Sequence, residues 1–204
     1  FSYASKPVMA QLPVRETETP RLFERPWVLW LGFVWGFAEA TLFFIVPDVL
    51  LTLVALYSLR RSAKLIAVIL LGALAGGTVM FYVGAKNPGR AEAVVLRVPF
   101  VSPAMFAKTR QGFERDGIWT LAKASGNGIP YKVYCVQASR YANWGVFIAV
   151  SMVARLERFA PFWLVAAALG IAFRRRIDHR PTVPAVIHAI LWIVGYVWYW
   201  NRIM

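Results

Sequence analysis

The chain has 204 residues, is 59% hydrophobic with nine Trp, and has a mean hydropathy of +0.54. Only 16% of it is charged, against about a quarter in an ordinary soluble domain, so the composition argues against a soluble globular protein and for a single-domain, all-α integral membrane protein. A net charge of +13 does not imply nucleic acid. The basic residues lie mostly between apolar runs, at Arg60, Arg61 and Lys64 and again at Arg174, Arg175, Arg176 and Arg180, where span ends and anionic head groups call for them, and no nucleic-acid-binding motif is present.

In chain order, residues 1–26 are polar, hold Pro7, Pro13, Pro20 and Pro26, and read as an extramembrane arm that needs a partner to order it. The first residue is Phe1. "FSYASK" reads either as the end left by cleavage of an organellar transit peptide or as a matter of numbering. Residues 27–204 are expected to form one membrane domain.

Residues 27–59 carry only Glu39 and Asp48 as charges. The run is long for one span of about 20 residues and short for two spans and a turn. A long tilted helix and a re-entrant hairpin both fit. Pro47 removes a backbone donor, and non-helical backbone at membrane depth survives only inside protein or beside water; both considerations favour the hairpin. Residues 65–85 read as a clean span. "GFVWG" (32–36) and "GALAG" (72–76) permit close helix approach, although glycine is common in membrane helices anyway.

Residues 86–117 mix six basic and three acidic residues with apolar ones and predict a surface-lying amphipathic segment broken by Pro99 and Pro103. Residues 118–137 hold Lys123, Gly126, Asn127, Gly128, Pro130 and Lys132. They are too interrupted for a lipid-facing helix and read as a second re-entrant region. Residues 144–173 form a span with the polar belt "RLER" and Pro161. Residues 184–200 form the last span, ending in the aromatic girdle "YVWYWNR". The expected architecture is thus about three transmembrane helices, two Pro-broken re-entrant hairpins and a surface segment.

Two Pro-interrupted segments, "IVPDV" around Pro47 and "GIPYK" around Pro130, are the sequence mark of a transport site built from discontinuous helices. Asp48 at one tip and Lys132 at the other would neutralise each other if the tips met. An intramembrane charge costs roughly 3 kcal/mol on insertion scales and needs a partner. For Glu39 the natural partner is Arg155 or Arg158, while Glu157 is placed to pair locally. Intramembrane ion pairs also serve as plain bundle glue, an arginine near a span end snorkels, and Tyr131 suits a lipid phosphate or, better, an interface. Glu39, Asp48, Lys132, Arg155 and Arg158 are therefore the candidate transport and lipid-binding residues. The single cysteine, Cys135, excludes an internal disulfide; His179 and His188 have no metal-ligand spacing. With no Ser/His/carboxylate pattern and no P-loop, neither an enzyme nor a cofactor or metal is expected.

The blocks "WGFAEATLFFIVPDVLL", "GALAGGTVMFYVGA", "GIPYKVY" and "ARLERF", in that order between Trp35 and Phe173, resemble the DedA/VTT (SNARE-associated type) membrane protein superfamily, and its smaller bacterial members most. The resemblance implies two facing re-entrant hairpins and movement of phospholipids or polyprenyl phosphates between leaflets, coupled to protons in some members. It assigns Glu39 and Asp48 to the first hairpin, Lys132 to the second, and Arg155 and Arg158 to the arginine motif. It also implies a glycine before the first arginine, where this chain has Ala154.

A competing expectation is a non-catalytic subunit of a large membrane complex, such as a mitochondrial inner-membrane assembly, which keeps the fold as scaffold and lipid-binding element. It accords with the polar arm and the basic charge. The host membrane would be a bacterial or a mitochondrial inner membrane. A hairpin that returns to its own side puts the arm, the Arg60–Lys64 loop and the Arg174–Arg180 cluster on one basic, inward face, and residues 86–117 on the other.

Overall fold

The computed structural model describes residues 23–123 and 127–203, and these are all-helical with no strand. Most of the expected polar arm, residues 1–22, lies outside the described residues. Helix α1 (Trp27–Thr41) stops where the Thr41 hydroxyl donates to the Phe37 and Ala38 carbonyls and the Phe43 amide also turns back to Ala38. Six residues later Pro47, with no N–H to give, stands at the start of α2 (Asp48–Tyr57). The run 27–59 is therefore broken, and the long-helix alternative falls. The chain also returns to its starting level: the rings of Phe23 and Tyr57 lie 5.2 Å apart, and Arg61 donates to the carbonyls of Phe23 and Arg25.

Ser58 caps α3 (Leu59–Lys86), accepting from the Arg61 amide. This helix begins six residues before the expected span and packs along α1. The two small-residue stretches interlock. A methyl group on Gly36 would strike the Ile69 carbonyl, one on Gly72 the Phe33 carbonyl, and one on Gly76 would lie 2.6 Å from the Phe37 carbonyl oxygen. Close approach, rather than mere abundance of glycine, is what these residues supply.

Helices α4 (Pro88–Val95) and α5 (Pro103–Asp116) each carry proline in the first turn, where it costs no hydrogen bond. Pro99 lies in the turn between them. The apolar faces of this segment are not left for lipid. Ala91, Val95, Phe106 and Phe113 are buried in one cluster with α7 (Tyr131–Ala138), and Phe113 stacks on Tyr141 at 4.8 Å.

The expected second re-entrant region is a single turn, α6 (Trp119–Ala122), a break, and α7. Pro130 precedes α7 with extended backbone, and every residue of α7 is buried, as befits a helix surrounded by protein.

Helix α8 (Trp144–Ala172) takes its cap from Asn143, contains Pro161, and runs against α2 and α3. The short α9 (Arg174–His179) leads to α10 (Thr182–Ile203). Among the described residues, two helices are long and apolar enough to cross a membrane by length and composition, Leu59–Lys86 and the Thr182–Tyr199 stretch of α10. The expected span at 144–173 is long enough but carries Arg155, Glu157 and Arg158 midway.

Candidate functional site

The site forms where the two broken segments meet. Between α1 and α2, the non-helical backbone is satisfied by three side chains and by the first turn of α2. Lys132 Nζ, at the start of α7, donates to the Phe43 carbonyl at 2.8 Å. Trp35 Nε1 donates to the Ile45 carbonyl at 2.9 Å. The Val46 amide donates to the Tyr196 hydroxyl of α10 at 2.8 Å. The Pro47 carbonyl accepts from the Leu51 amide. A buried break of this kind is stable only because its polar groups are paired.

The second break is held in the same way. Asn127 accepts from the Ile129 amide and donates to Tyr134, and Tyr199 of α10 donates to the Gly128 carbonyl at 2.9 Å. Gly128 has φ +77°, a conformation that side-chain-bearing residues avoid.

The five sequence-predicted residues converge around these breaks. Glu39, Asp48, Lys132 and Arg155 are 4%, 1%, 1% and 3% exposed, against 32% for the side chain of Arg158. Glu39 and Arg155 form a buried, hydrogen-bonded ion pair between α1 and α8. The Arg155 guanidinium lies 4.6 Å from the centre of the Tyr131 ring and 4.8 Å from that of Phe159, so aromatic faces share its charge.

The pairing of Asp48 differs from expectation. Asp48 and Lys132 make no ion pair among the described residues. Asp48 lies 3.6 Å from Arg158, and neither of its carboxylate oxygens has a hydrogen-bond partner among the described residues. Its position in the first turn of α2 places it at the positive end of that helix. Lys132 instead binds backbone. Glu157 is exposed and stands apart from the cluster.

Tyr131, expected at an interface, is buried beneath Arg155, with its hydroxyl against Gly77. Lys123, expected within the second re-entrant region, is exposed and bridges to Asp116 at 3.0 Å. The Arg115 hydrogen bond, seconded by Lys123, holds the Asp116 carboxyl down at about 2.

Sequence reasoning missed the partners on α10. His188, Trp192, Tyr196 and Tyr199 recur at helical spacing on one stripe, within a run read as a plain span ending in an aromatic girdle. Tyr196 and Tyr199 tie one break each. His188 Nε2 lies 2.8 Å from the Thr52 hydroxyl, and Trp192 Nε1 reaches both groups.

Chemically, the cluster joins two carboxylates to three cations in a dehydrated setting, an excess of one positive charge when all are ionised. A polar centre of this sort in a largely apolar body suits an anion better than a neutral solute.

No family model matches the chain, and no solved structure matches it. It is similar to an uncharacterized protein of Haemophilus influenzae, 27% identical over 171 residues that span 83% of this chain and 87% of that protein.

Proposed function

We propose that the chain is an integral membrane protein of DedA/VTT type that moves a phosphate-bearing lipid, a phospholipid or a polyprenyl phosphate, between leaflets. The observation that carries the reading is the contact of the two Pro-started segments through Lys132 and the Phe43 carbonyl, beside buried Glu39, Asp48 and Arg155. Helix lengths support it. At 1.5 Å per residue, α1 with 15 residues and α2 with 10 reach about 22 and 15 Å, short of a hydrocarbon core of about 30 Å. They serve as the two arms of a re-entrant hairpin, while α3, α8 and α10 cross. Arg155 and Arg158 of α8 face the hairpin acids Glu39 and Asp48, which answers for two of the three charges midway along that helix.

In this reading Lys132 and Arg158 draw the lipid phosphate toward the tips. Asp48, with a carboxylate that no hydrogen bond restrains, is the counter-charge that gives way to the phosphate, and taking up a proton there couples the step to pH. Glu39 and Arg155 hold the frame. Similarity to a bacterial protein over most of both chains supports a bacterial inner membrane as the setting.

The test is reconstitution in vesicles carrying trace fluorescent phosphatidylglycerol or a labelled polyprenyl phosphate, with the outer leaflet bleached by dithionite. Wild type exposes the inner-leaflet label and Asp48→Asn does not, while the variant keeps its helical circular dichroism and its unfolding midpoint. Equal rates for the two proteins would defeat the assignment. Native mass spectra in mild detergent address the subunit reading, which requires stable retention of other chains.

A further inference from the structure

A cleft runs on from the charged cluster, past Thr52 and Phe162, each one turn along from Asp48 and Arg158, to where α8, α9 and α10 diverge. Its volume is about 1140 Å³, above the range of about 300–1,000 Å³ common for small-molecule sites. Its walls are graded along the helices. At the α9 turn stand Arg176 and Arg180; further down the walls are apolar, through Leu169, Leu191 and Phe162 to Trp192. From Val183 to Gly195 the helix rises about 18 Å.

The charge is confined to one end. Asp178, the acidic residue of α9, is engaged by Arg174 at 3.6 Å, and Arg174 also donates to the Tyr57 carbonyl. Arg176 and Arg180 make no ion pair among the described residues, and both are exposed. Arg176 leans on the Phe173 ring at 5.8 Å. The polar groups at depth, Thr52, His188 and Trp192, bond to one another and ask nothing of an occupant. An extended peptide laid in the cleft would leave its backbone amides unpaired, at a cost of several kcal/mol each in such surroundings. A hydrocarbon chain has no such groups.

We infer that this cleft is a binding site for an anionic glycerophospholipid, with its phosphate on Arg176 and Arg180 and an acyl chain lying between α8 and α10. Because α10 also carries Tyr196 and Tyr199 to the two breaks, a lipid seated here braces the helix that holds the site closed. The inference rests on the membrane setting proposed above, but not on lipid translocation.

The experiment is a titration of the detergent-purified full chain with palmitoyl-oleoyl phosphatidylglycerol and the matching phosphatidylcholine, followed by native mass spectrometry. Wild type is expected to take one phosphatidylglycerol about tenfold more tightly than phosphatidylcholine. The double variant R176Q/R180Q loses that preference. Leu169→Trp, which fills the cleft, weakens both lipids about tenfold. Asp48→Asn keeps the adduct, which separates this site from the proposed transport site. Equal affinity of wild type for the two lipids, a preference that survives R176Q/R180Q, or loss of the adduct in Asp48→Asn would each overturn the proposal. So would a doubled mass that Leu169→Trp abolishes, since a second copy would then be the occupant. A measurement independent of folding in these variants uses brominated phosphatidylglycerol, which should quench wild type more than Trp192→Phe; equal quenching also overturns it.

Discussion

Glu39 and Asp48 are both buried acids facing arginines of α8, yet their surroundings assign them different work. Glu39 shares a hydrogen bond with Arg155, whose charge is further spread over Tyr131 and Phe159. Removing one partner of such a pair strands the other in a dry interior, at a cost of about 3–5 kcal/mol. Glu39→Ala should therefore destabilise the protein by that amount in denaturation from detergent micelles, and Glu39→Ala with Arg155→Met should cost less than the two single changes added together. Additive losses would mean that the pair is not coupled. Asp48 has an arginine at 3.6 Å but no hydrogen bond, and Arg158 is partly exposed. Because Arg158 keeps access to solvent and Asn fills the same volume, Asp48→Asn should cost less than the about 3–5 kcal/mol of breaking a fully buried pair, so that a translocation defect can be separated from unfolding. Lys132→Met orphans the Phe43 carbonyl and should cost about 1–3 kcal/mol, with the added signature of faster amide exchange across residues 42–46.

At the level of elements, the close packing of α1 on α3 rests on glycines that face carbonyl groups. Backbone cannot rotate aside as a side chain can, so Gly72→Leu forces the helices apart and should cost at least about 1–3 kcal/mol. Gly89, in the exposed turn of α4, has nothing within 4 Å of the missing Cβ, and Gly89→Ala should leave the unfolding midpoint unchanged or slightly raised. A similar response from the two variants would remove the packing argument. The breaks at Pro47 and Pro130 were legible because proline has a fixed backbone effect whatever its surroundings. The pairing of Glu39 with an α8 arginine was legible because few cations were placed to meet it. Which cation serves Asp48 was not, since that depends on the angle at which α8 crosses α2, and nothing local encodes it. The α10 tyrosines were misread for a related reason: an aromatic cluster at the end of an apolar helix has the same composition whether it faces head groups or reaches back to hold a loop. The surface segment was half legible. Its amphipathic period was plain, but the partner for its apolar face, α7, comes 15 residues later.

For the whole molecule, the decisive relation is between its two ends. Arg61 bonds the carbonyls of Phe23 and Arg25, Arg174 bonds the Tyr57 carbonyl, and the Tyr57 hydroxyl donates to Pro181. The start of α1, the α2–α3 junction and the α9 turn are thus one basic end, which gathers Arg25, Arg60, Arg61, Lys64, Arg174, Arg175, Arg176 and Arg180. Helix α3, 28 residues and about 42 Å long, carries the chain from there to Asn87 and the α4–α5 segment, farther than the roughly 30 Å of a hydrocarbon core. The α4–α5 end is also basic, and in the proposed membrane setting α3 would put the two ends on opposite sides. In a Cys135→Ala background, single cysteines at Arg175 and Gly89 should be modified by a membrane-impermeant maleimide from opposite faces of oriented vesicles. A third at Ser58 should follow Arg175, because the hairpin of α1 and α2 comes back to the side it left. The lone native cysteine is fully buried and should give no background in intact protein. Labelling of Ser58→Cys and Gly89→Cys from the same face would mean that α3 does not cross, and the re-entrant reading of α1 and α2 would fall with it.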